Sequence, residues 1–109
     1  MTNFIEYQEA AVKTAIYGEQ NKIFYPALGL AGEAGEVCNK VKKIFRDNNG
    51  QLTEEKREEL AAEIGDVLWY CAALANDLGL SLDIIAGLNI SKLNLRKQAG
   101  TIGGSGDNR

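Results

Sequence analysis

A run of apolar residues at alternating four- and three-residue steps, Leu60, Ile64, Val67, Cys71, Leu74 and Leu78, constrains this chain more than any other feature. Such a stripe lies along one face of an α-helix and needs another element to bury it. Leu30, Ala34, Val37, Val41, Ile44 and Phe45 form a second stripe upstream. Strand-type alternation is almost absent, and the chain holds one proline. Spacing and punctuation predict four helices. The first is capped by Asn3, with Glu6 three residues on, and fades by Tyr17 and Gly18. The second opens near Pro26 and stops at the turn cluster DNNG, residues 47–50. The third enters through Thr53, carries Glu54 and Glu55 in its first turn, and ends at Gly79. The fourth is capped by Ser81 and runs to about Gln98. Short connections favour antiparallel neighbours, so the expected fold class is all-α, a four-helix, bundle-like protomer. With 109 residues the chain makes one domain or one protomer of a larger assembly. The helical domain is expected over residues 1–99, followed by a glycine-rich tail over residues 100–109.

Composition removes several classes of function. A formal net charge of −3 leaves no electrostatic footprint for nucleic acid. The opening MTNFIEYQEA has neither the basic start nor the apolar core of a signal peptide. VLWYCAALA, residues 67–75, is the longest apolar run and is too short to span a bilayer, so no membrane association is expected. Cys38 and Cys71 read as small buried hydrophobes, not a disulfide, which suits a cytoplasmic location. The chain contains no histidine. Ser-His and Cys-His nucleophile pairs, histidine zinc sites and Glu-x-x-His di-iron bundles are therefore excluded. Chemistry here must run on carboxylates, hydroxyls, lysines and backbone.

The carboxylates carry a pattern. AGEAGEV, residues 31–37, sets Glu33 and Glu36 three apart in a helix interior beside Gly32 and Gly35, each of which costs a helix about 1 kcal/mol against alanine. EIGD, residues 63–66, repeats the device with Glu63, Gly65 and Asp66. At the helical angular step, Glu59, Glu63 and Asp66 fall in a strip about 60° wide that borders the apolar stripe. Packed antiparallel, the second and third helices bring both acid pairs to one groove. Acids at such spacing are often a plain solvated face. Four of them at the border of a core, however, repel one another and resist desolvation unless a cation joins them. Oxygen ligands without histidine or cysteine favour magnesium or manganese over zinc. The glycines then read as room for the metal and a charged ligand.

LGLAGEAGEV, residues 28–37, taken with EIGDVLWYCAALA, residues 63–75, resembles the MazG family of nucleoside triphosphate pyrophosphohydrolases, within the all-α NTP pyrophosphatase superfamily. The resemblance covers nearly the whole chain. It implies that Glu33, Glu36, Glu63 and Asp66, matching the superfamily pattern Glu-x-x-Glu and Glu-x-x-Asp, are the catalytic and metal-binding residues. It implies Mg²⁺, with Mn²⁺ as a substitute, and a metal-activated water attacking the α-phosphorus. A (d)NTP would thereby become a (d)NMP and pyrophosphate. Family habit also implies self-association to a homodimer or homotetramer.

Cations should meet the outer phosphates. Asn89, Lys92 and Arg96 share one face of the fourth helix and match a family tendency, though cations near a helix end also suit the dipole. Lys40 is a phosphate candidate or an intrahelical partner of Glu36. Arg109, with the tail glycines, is a further phosphate candidate. Gln8 and Tyr25 are candidates for contact with the base; Trp69 and Tyr70 read as core or subunit contact. Two alternatives stay open: a phosphoribosyl-ATP pyrophosphatase-like enzyme, and a non-catalytic helical interaction module whose apolar stripes mediate assembly.

Overall fold

The computed structural model describes residues 2–107. Among them the regular structure is helical throughout: α1 (Phe4–Val12), a short 3₁₀ turn (Glu19–Asn21), α2 (Phe24–Asp47), α3 (Glu54–Asp77) and α4 (Leu82–Ala99). Asn3 caps α1, its Oδ1 accepting the Glu6 N–H at 2.9 Å. The helix stops at Val12, short of Tyr17, for a tertiary reason. The Thr14 hydroxyl donates to the Ala11 carbonyl at 2.7 Å and accepts the Trp69 indole N–H at 2.8 Å, which ties the last turn of α1 to α3. The released segment carries Tyr17 to the far end of α3, where its hydroxyl donates to Asp77 Oδ2 at 2.7 Å. The same oxygen accepts the Ile23 N–H at 2.9 Å. Ile23 has φ 71°, a left-handed conformation that costs a β-branched residue strain, and Asp77 secures it. α2 thus opens at Phe24, two residues ahead of Pro26.

α2 and α3 form a long antiparallel hairpin, turned through Asn49 and Gly50 with φ of 54° and 76°. Thr53 caps α3 by accepting the Lys56 N–H at 3.2 Å. Among its glycines the hairpin is tightest at Gly29, where an added Cβ would clash with the Tyr70 ring. α3 ends in a Schellman motif: Leu80 N–H donates to the Ala75 carbonyl at 2.8 Å, Gly79 N–H to Asn76 at 3.0 Å, and Gly79 supplies the φ of 73° the motif requires. This tight stop turns the axis through 104° into α4, so the last helix packs on α1 and α3 without folding back antiparallel. Gln8 pins that corner. Its amide nitrogen donates to the carbonyls of Ala72 (3.2 Å) and Leu80 (3.1 Å), and its oxygen accepts the first N–H of α4, from Leu82, at 3.0 Å.

Among the described residues the buried apolar ones are Ala11, Pro26, Ile44, Ala72, Ala73, Ala75 and Leu82. Small side chains let α1 lie close on α3, so the alanines of the WYCAALA segment are more buried than the stripe beside them. Leu60, Val67, Cys71 and Leu74 of that stripe are half-buried, while Ile64 is 61% exposed. Leu28 and Phe45 on α2 are 73% and 70% exposed. Cys38 also lies at the surface, against expectation, and both cysteines are free. No single helix among the described residues is long and apolar enough to cross a membrane.

Candidate metal centre

The antiparallel register of the hairpin sets the middle of α2 against the middle of α3. Glu33 thereby meets Glu63 and Asp66, and one carboxylate oxygen from each lies within 4.8 Å of the others. Glu36 stays outside this triplet, one turn further along α2, yet its charge still acts on Glu33. Burial first, then the close approach of the Glu63 carboxylate, then the charges of Asp66, Glu63 and Glu36 raise the Glu33 carboxyl above its ordinary value. Glu63 is held unsymmetrically. Its Oε1 lies 3.6 Å from Lys40 Nζ, a loose pair, and its Oε2 is buried with no hydrogen-bond partner. Two facing carboxylates are both acceptors once ionised, so only a proton or a cation can join them. An orphaned buried oxygen in an all-oxygen donor set fits a hard divalent ion.

Lys40 reaches across the hairpin to Glu63 instead of back to Glu36. It lines a cleft of about 260 Å³ with Glu36, Asn39, Lys43, Lys56 and Glu59. Glu59 pairs with Lys56 at 3.2 Å and takes no part in the triplet. Beside the acids stands a column of aromatic rings. Tyr70 packs edge-on to Trp69 at 5.0 Å and lies 6.2 Å from Tyr25, which stacks on Tyr17 at 4.9 Å. Burial, the neighbouring Tyr25 hydroxyl and the charges of Glu33 and Asp66 raise the Tyr70 hydroxyl above its ordinary value. The Tyr7 hydroxyl on α1 is raised by burial and then by the charge of Asp66.

The remaining candidates are dispersed. Gln8 lies at the α3–α4 corner with both ends of its amide engaged. Asn89 and Lys92 line a shallow groove on α4 with Ile85 and Leu88. Lys92 and Arg96 both bond Asp107, at 3.0 Å and 2.9 Å. Arg109 lies outside the described residues. Gly32, Gly35 and Gly65 face open space, with nothing within 4 Å of an added Cβ; the close approach in the protomer falls at Gly29. Tyr7, Gly29 and Asp107 have no local signature, since each takes its meaning from a residue on another element.

The sequence matches the MazG nucleotide pyrophosphohydrolase domain over residues 26–101. It is also similar to Gene 37 protein of Mycobacterium phage L5, at 52% identity over 109 residues spanning 94% of this chain and 96% of that protein. No solved structure matches. The matched segment begins at Pro26 and contains both acid pairs and the Asn89, Lys92 and Arg96 face.

Proposed function

The chain belongs to the MazG nucleotide pyrophosphohydrolase family, and from that footing we propose that it hydrolyses nucleoside triphosphates to the monophosphate and pyrophosphate with the help of Mg²⁺. The observation that carries this reading is the meeting of Glu33, Glu63 and Asp66 from two helices, with a buried oxygen of Glu63 that has no hydrogen-bond partner. These three residues, with Glu36 as the fourth, would hold the ion. When bound, a divalent ion neutralises polyphosphate charge and lowers the pKa of water.

The chain's own groups do the rest. Glu33, whose proton affinity is raised, accepts the proton of the water that attacks the α-phosphorus. Lys40 steadies Glu63 through its Oε1. Lys92 and Arg96 take the outer phosphates, and Asn89 extends that polar face. Tyr25, 48% exposed between Tyr17 and Tyr70 in the aromatic column, contacts the base. A second copy of the chain covers the exposed apolar faces and completes the site.

Pyrophosphate release from a panel of ribo- and deoxyribonucleoside triphosphates tests the proposal. Activity should require Mg²⁺ or Mn²⁺, and Glu63→Gln should lower kcat/KM by about 100-fold or more, the loss of several kcal/mol of charge stabilisation. The same ions should raise the melting temperature of the wild type and not of Glu63→Gln. Turnover that survives chelation, or a Glu63→Gln variant at wild-type rate, overturns the assignment.

A further inference from the structure

The tail returns to α4 and ends in an unequal pairing. The Arg96 side chain is 7% exposed, whereas its partner Asp107 is 80% exposed on a glycine-rich segment. Arg96 Nη2 donates to Asp107 Oδ1 at 2.9 Å and reaches the Gly106 carbonyl at 3.4 Å. Lys92 Nζ donates to the same Oδ1 at 3.0 Å. One carboxylate oxygen therefore serves two cations at the mouth of a cleft of about 460 Å³ lined by Leu88, Leu95 and Thr101. A buried guanidinium needs an anion at all times, because losing its partner leaves an uncompensated buried charge. The anion it has here is carried on a glycine-rich tail, and a solvent-exposed acid gains little from such a pair. A phosphate group can give each cation an oxygen of its own, which one carboxylate oxygen cannot.

We propose that Lys92 and Arg96 form an anion site that Asp107 fills in the free protein, so that phosphate groups enter by displacing the tail. This rests on the reading above that Lys92 and Arg96 meet substrate phosphates, and it adds an internal competitor to that contact. Apparent affinity is then the intrinsic affinity reduced by the fraction of molecules whose tail is released. The four residues 101–104 stay in place during release, since Thr101 N–H bonds the Arg96 carbonyl at 2.9 Å and Gly104 N–H bonds Thr101 at 3.0 Å.

Calorimetric titration of the full-length protein with inorganic pyrophosphate, in chelator to exclude metal, tests this. Asp107→Asn, and a chain stopped after Gly104, should each bind about two- to fivefold more tightly than wild type. Lys92→Gln, at a half-exposed position that folding tolerates, should bind more weakly. If Lys92→Gln weakens binding but neither tail variant tightens it, the phosphate contact stands and the competitor is overturned. If Lys92→Gln binds like wild type, or no variant binds pyrophosphate, the phosphate contact fails and the competitor with it.

Discussion

Glu63 concentrates the character of the site in one atom. Its Oε2 is buried and unpartnered, and the carboxyl of neighbouring Glu33 has a raised pKa. A carboxyl raised in the native state holds more protons there than in the unfolded chain. Its contribution to metal-free stability is present below the ordinary glutamate value and is lost as pH rises through the raised one. Metal binding has the opposite sign, since it needs the ionised form. Without metal, Glu33→Gln should therefore melt higher than wild type at about pH 8, with the advantage shrinking toward about pH 5. Over the same range, the Mg²⁺-induced rise in wild-type melting temperature should fall. A Glu33→Gln variant no more stable than wild type at the higher pH would count against a strained acid cluster. All four acids were legible as a pair of Glu-x-x-acid motifs, because helical spacing alone sets which face they share. What spacing does not reveal is that three close into a triplet and one stays a turn away. That follows from the stagger of α2 on α3, which depends on contacts such as Tyr70 against Gly29.

Helices with good caps announce themselves, and Asn3, Thr53 and Ser81 each accept the N–H expected of them. The ends governed by distant partners do not. α1 breaks early because Trp69 holds Thr14, and α2 starts through a strained Ile23 because Asp77 receives its N–H. The glycines divide in the same way. Gly29 sits in plain sequence next to Gly32 and Gly35, yet it alone of the three lies under a ring. Gly29→Ala should destabilise the protein by about 1–3 kcal/mol or more through overpacking against Tyr70. Gly65→Ala, with open space around its Cβ, should stabilise α3 by up to about 1 kcal/mol. Denaturant unfolding of the two variants decides this, and matching destabilisation would show that something covers Gly65. If Gly65→Ala gains stability while losing turnover, the open space belongs to the substrate.

The whole molecule is looser than its length warrants. Its radius of gyration is 16.7 Å, where a compact domain of this size has about 13 Å. It exposes 7839 Å², against about 5,900 Å² for a monomer of 11.8 kDa. Phe24, Leu28, Phe45, Leu88 and Leu95 contribute to this excess, which is comparable with what a stable homodimer covers. Light scattering should give a mass that is a multiple of the protomer's, and specific activity should fall on dilution; an active monomer at nanomolar concentration would refute this. Apolar stripes on several helices in a short chain already pointed to association. The turn of α4 out of the bundle was not visible there, because it is made by an amide 64 to 74 residues away in sequence. Gln8 gives that amide an architectural reach. A fraying amino terminus is harmless in most small proteins, but here it would unhitch the joint that aims the final helix. The face that α4 offers to any neighbouring copy is thus decided at the opposite end of the polypeptide, and trimming the first helix should redirect that face before it touches a single member of the acid cluster.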